Sequence, residues 1–298
     1  MIYPQSLAEG DTIRIIAPAG KIAPEVVDKA ADTLTGWGFK VELSNHLFDG
    51  FGRYSATREC RLADLTDALN DDLVKAILCA RGGYGAVHLL DGLDSSFICS
   101  HPKWLIGYSD VTLLHAFFNR AGIASLHAPM CKHLGEYPLD EASQMMHRIL
   151  KGERPSYRIP VHSLNRLGQA SGRLVGGNLA VFNALHGTPF DFDYSDAILF
   201  IEDIGESPYK IERMIYSLRL SGIFNQISEL IVGSFTDCEE DPQMKASIYE
   251  NISQLVSPYP FPVCFGFPCG HVPGNLPLIE GVEVTLSVKE TAVELKVK

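Results

Sequence analysis

Residues 74–80 read Val-Lys-Ala-Ile-Leu-Cys-Ala, with one charge in seven positions. A strand with one wet face alternates apolar and polar residues. A run that barely alternates needs cover on both faces, the condition of a parallel sheet between helices. The surrounding segments agree. "DTIRIIAPAG" predicts a short buried strand ending in a Pro/Gly loop, and Val26, Val27, Ala30, Ala31 and Leu34 then recur at helical spacing until Gly38. "FKVELS" predicts a strand, and "TRECRLADLTDALND" an amphipathic helix with Leu62, Leu65 and Leu69 on one face. After the central run come a helical "GAVHLLDGL", a strand "KWLIGYS", a helix "DVTLLHAFFNRAG" and a strand "IASLHAPM". Strand and helix alternate in this way over roughly the first 130 residues, the pattern of a doubly wound α/β sheet. Such sheets bind ligands beyond the carboxyl ends of their strands. Three loops fall there: "PAGK" after the first strand, "RGGYG" after the central run and "YSD" after "KWLIG".

The character changes near residue 155. "KGERPSYRIPVHSLNRLGQASG" is polar, carries Pro and Gly and lacks a helical period. It reads as a linker with a strand or two, giving a first domain over 1–155 and a second over 156–298. The second carries a loop and helix at "GRLVGGNLAVFNALHG", a strand and acidic loop at "AILFIEDIG", a helix at "PYKIERMIYSLRLSG", a strand at "ELIVGSF" and a helix at "MKASIYENISQLVS". It closes on two alternating segments, "VEVTLSV" and "AVELKV", that predict a β-hairpin.

Several function classes lose support. The formal net charge is −11 and no Lys/Arg run is present, so a nucleic-acid partner is not expected. The first residues lack a basic segment followed by an uninterrupted apolar one, and no stretch has the apolar length of a membrane span. Seven cysteines at irregular spacing suggest reduced thiols in a cytoplasmic protein. With no CxxC and no HExxH, neither a metal nor another cofactor is expected.

Ser109 stands at a strand-to-helix junction, where a side chain can project from the sheet toward unsatisfied helix N–H groups. Those donors suit an oxyanion. Read alone, the stretch favours a plainer role, with Ser109 or Asp110 capping the helix. A serine nucleophile needs a base and an orienting carboxylate. His88 and His115 lie in helical segments, His127 ends a strand, and His271 lies in the Gly/Pro-rich loop "FPCGHVPGNLPL". Glu202 and Asp203 close an apolar strand; Glu206 and Glu212 are less well placed. "RGGYG" lets backbone N–H groups approach a ligand. It matches neither a dinucleotide nor a P-loop pattern, so a nucleotide site is not expected.

Together, "ARGGYGAVHLLDGLD", "KWLIGYSDVTLLH", "LVGGNLAVFNALHGTPF", "LFIEDIGESPYKIERM" and "GFPCGHVPGNLPLIEG" resemble the LD-carboxypeptidases, or muramoyltetrapeptide carboxypeptidases, in family order across the chain. The resemblance implies a flavodoxin-like first domain, a smaller β-rich second domain and a homodimer. It implies a serine peptidase whose triad falls on Ser109, Glu202 and His271. Backbone N–H groups of Asp110 and of Gly83 or its neighbour Gly82 would form the oxyanion hole, and Asp110 would cap the helix. The implied substrate is a murein tetrapeptide that loses its terminal D-alanine during peptidoglycan recycling. Arg81 and Lys132 are weaker candidates for holding its carboxylate. Two alternatives remain at this point: a microcin-immunity-like hydrolase of peptidyl-nucleotides with the same triad, and a non-enzymatic two-lobed binding protein.

Overall fold

The computed structural model describes residues 1–298, the side chain of Phe97 excepted. The chain forms two units, Met1–Glu153 with Pro273–Gly281, and Arg154–Val272 with Val282–Lys298.

In the first unit, strands β1 (Thr12–Ile16), β2 (Lys40–Leu43), β3 (Val74–Cys79), β4 (Trp104–Gly107) and β5 (Ser125–His127) run parallel in the order β2-β1-β3-β4-β5. This is the flavodoxin-like order, whose switch point lies between β1 and β3. Ala76, Ile77, Leu78 and Cys79 on β3 are wholly buried, as the unalternating run requires. Helices Pro24–Gly36, Arg58–Asn70 and Thr112–Arg120 follow β1, β2 and β4; "GAVHLLDGL" forms a 3₁₀ helix over Ala86–Gly92. The helix Arg58–Asn70 departs from the expected face. It buries Arg61, Asp64, Leu65, Ala68 and Leu69, while Leu62 is only partly covered.

The second unit carries β6 (Ser156–Ile159), β7 (Gly168–Asn178), β8 (Ile198–Ile204), β9 (Glu229–Thr236) and β10 (Val263–Phe265). The chain then supplies β11 (Leu278–Glu280) to the first sheet, antiparallel to β5. It ends on the hairpin β12 (Glu283–Val288) and β13 (Val293–Val297) in the second unit. The second sheet has the order β10-β9-β8-β7-β12-β13-β6, parallel from β10 to β7 and antiparallel beyond.

Two differences from the sequence reading have physical causes. The polar stretch before "LVGGN" is not a loop: residues 168–178 form one long strand. Its first half pairs with β12 and its second with β8, so pairing on both sides outweighs weak strand propensity. Residues 273–281 do not stay with the second domain, because β11 completes the edge of the first sheet with fully buried Leu278, Ile279 and Glu280.

Candidate active site

The first unit brings its three predicted loops together. Gly20 donates its N–H to the Gly82 carbonyl (3.1 Å), joining "PAGK" to "RGGYG". Gly82 in turn abuts Ser109: a Cβ added to Gly82 would lie 2.7 Å from Ser109 Cβ, 2.8 Å from its Oγ and 3.3 Å from the Asp110 nitrogen. Gly83 instead faces Gly20, so Gly82 is the glycine in closest approach to the serine.

Ser109 has φ +66°, in the left-handed region that favours glycine. A non-glycine residue held there costs about 1–3 kcal/mol and persists only where its surroundings fix it. The extended Tyr108 precedes it and a 3₁₀ turn, Ser109–Val111, leads into the helix Thr112–Arg120. This is a tight strand-to-helix elbow. The expected cap is absent: neither turn nor helix has a side-chain cap bond. Asp110 is buried and reaches away from its own helix, accepting the Ala86 N–H at Oδ2 (2.8 Å). Burial pushes its carboxyl up to about 6, against the opposing effect of the backbone N–H bonds and of Arg61.

The rival histidines all pack within the first unit. His115 is wholly buried between the Ser125 hydroxyl (2.9 Å at Nδ1) and the Gly107 carbonyl (2.9 Å at Nε2), and burial lowers its pKa to about 4. It thereby pins the end of β4 just before the elbow. His127 is buried on β5, with its ring beside those of Tyr108 and His115. His88 packs against Tyr54 and Tyr84, with Nδ1 3.3 Å from an Arg61 nitrogen.

The second unit holds the other pair. His271 Nδ1 lies 2.8 Å from Glu202 Oε2; the glutamate side chain is wholly buried and that of the histidine is 15% exposed. His271 is the carboxylate's hydrogen-bond partner, and the other oxygen, Oε1, has none among the described residues. Gly270 makes the approach possible: at φ +106°, a Cβ there would lie 2.5 Å from Glu202 Oε2 and 2.7 Å from its Cβ. Asp203 has a different task. Its Oδ1 accepts from the Asn178 amide (2.9 Å) and the Ile204 N–H (2.8 Å), and its Oδ2 from the Ala180 N–H (2.9 Å). It fixes the turn out of β7, and burial raises it to about 6. Glu206 pairs with Lys210 (3.2 Å), and Glu212 lies on the helix Pro208–Leu220.

Arg81 donates to the Lys21 carbonyl (2.9 Å) and Lys132 is exposed on the helix Cys131–Glu136. The sequence reading missed a cavity of about 600 Å³ in the second unit, lined by His162, Ser234, Thr236, Tyr249, Glu250 and Val272 among others. Val272 adjoins His271 in the chain, the one local signal that could have pointed to it. All seven cysteines are free, four of them buried.

A left-handed serine at a strand-to-helix elbow and a buried carboxylate bonded to an imidazole are kinds of group that serine hydrolases use. The chain belongs to the LD-carboxypeptidase family of serine peptidases: residues 13–128 match the LD-carboxypeptidase N-terminal domain and residues 171–286 the LD-carboxypeptidase C-terminal domain. It is 35% identical over 295 residues to the probable murein peptide carboxypeptidase of Bacillus subtilis (strain 168), covering 96% of this chain and 92% of that one. The crystal structure of muramoyltetrapeptide carboxypeptidase from Oxalobacter formigenes has a TM-score of 0.89 and 28% identity, over 96% of this chain and 98% of that one. The microcin C7 self-immunity protein MccF of Escherichia coli is 28% identical over 318 residues, covering 94% and 91%. Serine carboxypeptidase activity follows from this membership, and the non-enzymatic binding protein is set aside. Among the described residues, no helix is long and apolar enough to cross a membrane.

Proposed function

We propose that this chain removes the terminal D-alanine from murein tetrapeptide, in the cytoplasm and as a homodimer, within peptidoglycan recycling. The observation that carries the reading is the His271–Glu202 pair: a wholly buried carboxylate whose hydrogen-bond partner is an imidazole Nδ1. Bound in this way, the imidazole presents Nε2 as the base.

Ser109 Oγ attacks the carbonyl carbon of the L,D-peptide bond while His271 Nε2 takes the hydroxyl proton. Glu202 holds the ring and stabilises the imidazolium. The oxyanion is received by the Asp110 N–H and a second N–H from Gly82 or Gly83; no loop or cap bond occupies the Asp110 N–H among the described residues. The intermediate collapses, His271 gives its proton to the departing amine of D-alanine, and water releases the acyl group by the same steps. The cavity beside Val272 receives part of the peptide.

A second reading, hydrolysis of a peptidyl-nucleotide amide, draws on the similarity to MccF and on the aromatic side chains of His162, Phe235 and Tyr249 that line the cavity. The tryptophans do not serve it: Trp37 stacks on His147 and buried Trp104 donates to the Gln5 carbonyl. The test is an assay of purified protein on tetrapeptide, pentapeptide and a peptidyl-adenylate analogue, with Ser109→Ala alongside. D-alanine release from tetrapeptide, lost in Ser109→Ala, supports the first reading. Preferential cleavage of the nucleotide conjugate replaces it with the second, and full activity of Ser109→Ala removes the serine mechanism.

A further inference from the structure

Arg61 is a guanidinium buried to 2% exposure, on a helix whose sequence reads as an ordinary amphipathic surface element. Among the described residues, no carboxylate pairs with it directly. Its donors go to backbone: Nε to the Ala56 carbonyl (3.2 Å), and one terminal nitrogen to the carbonyls of Pro18 (2.5 Å) and Gly85 (2.8 Å). The other terminal nitrogen lies 3.3 Å from His88 Nδ1, and the Tyr54 ring covers the guanidinium with its centroid 5.1 Å away. One side chain therefore ties together the loop after β1, the segment before its own helix and the glycine loop after β3.

The Gly85 contact matters most. The Gly85 carbonyl and the Ala86 N–H belong to one peptide group. Arg61 takes its oxygen, and Asp110 Oδ2 takes its N–H at 2.8 Å. Asp110 directly follows Ser109. The peptide 85–86 is thus gripped from both ends, by a buried cation on one side and by the residue after the serine on the other. The attraction between the two charges acts in the same sense, since Arg61 opposes the burial-driven rise of Asp110. A buried guanidinium is costly unless its donors are filled, and a lysine cannot fill a planar fork of this kind.

We propose that Arg61 is a positioning residue that sets the oxyanion-binding geometry of the first unit, acting through the peptide 85–86 and Asp110 on the glycine loop and the Ser109 elbow. The proposal rests on the reading of Ser109 as nucleophile. Its role is in the transition state rather than in holding substrate, so its loss should fall on kcat.

The experiment measures D-alanine release from tetrapeptide by full-length Arg61→Ala and Arg61→Lys, with and without guanidinium chloride at tens of millimolar, and with sodium chloride as control. Melting curves report the folded fraction. The expected result is a kcat lowered by about 100-fold with KM within about threefold. Guanidinium should restore kcat of Arg61→Ala by about tenfold and leave the wild type unchanged. A folded Arg61→Ala with wild-type kcat overturns the proposal, as does a loss that only tracks the unfolded fraction and is not rescued. If Arg61→Ala does not fold, Arg61→Lys decides: reduced kcat at constant KM supports the proposal, and wild-type kcat overturns it. Ser109→Ala is assayed in parallel. If it retains activity, the nucleophile reading itself fails; if it is dead while both Arg61 variants are fully active, the positioning proposal alone fails.

Discussion

Ser109 and Glu202 have the same kind of address, near the carboxyl end of a buried parallel strand, yet they are held there by opposite means. Ser109 is placed by its backbone: a left-handed φ and a glycine neighbour at contact distance. Glu202 sits on β8 where its register against β9 shifts, and its place is fixed by a side-chain hydrogen bond and complete burial. Each has an aspartate directly after it, and in both units that aspartate turns to a neighbouring backbone N–H, Ala86 for Asp110 and Ala180 for Asp203. A strained backbone turn tolerates little added volume around it, whereas a buried carboxylate–imidazole pair tolerates little loss of either partner.

Among substitutions that leave Ser109, Glu202 and His271 in place, the largest effect should come from Gly270→Ala, which combines a strained φ with a collision against Glu202. We expect kcat to fall by about 1,000-fold and stability by about 2–4 kcal/mol, read by turnover and denaturant melts. Gly82→Ala tests the other region. Its added methyl meets Ser109 itself, without a left-handed φ to satisfy. Activity should drop about 100-fold with a stability loss of only about 1 kcal/mol. Equal stability losses in the two variants would erase the contrast.

Next is pH. The folded carboxyl of Asp203 titrates near 6, above its ordinary 3.8, because burial disfavours the charge. The native state therefore binds more protons between those values, and its stability is lost as pH rises through them. Wild type should gain on Asp203→Asn by about 2 kcal/mol between pH 7 and pH 4. A constant difference across that range would show that the burial penalty is absent. The smallest effect on stability is that of Ser109→Gly, which relieves the left-handed backbone. It should be inactive yet more stable than Ser109→Ala by about 1 kcal/mol; equal stability would mean the elbow is unstrained.

Much of this contrast could be read from the sequence, and the reasons are local. The β1–β5 alternation is visible because burial on both faces leaves unalternating apolar runs, and "ILFIED" shows an acid pair at a strand end. The site glycines are visible as motifs, but which one meets Ser109 depends on the loop's path. Asp110 looked like a cap because its partner, Ala86, lies 24 residues away. Arg61 was hidden for the same reason: an arginine in "TRECRLADL" looks solvated until loops from three places close over it. The return of residues 273–281 to the first sheet leaves no local signature, since a three-residue strand is recognised only by its partner β5.

The central proposal is that Ser109 and His271 serve the same reaction. It is tested most directly by a double-mutant cycle of Ser109→Ala and His271→Ala on D-alanine release from tetrapeptide. Groups that act together are strongly non-additive. Each single variant should lose at least about 10,000-fold in kcat, and the double variant should be no worse than either. Losses that multiply, or a single variant that keeps wild-type turnover, would contradict the account.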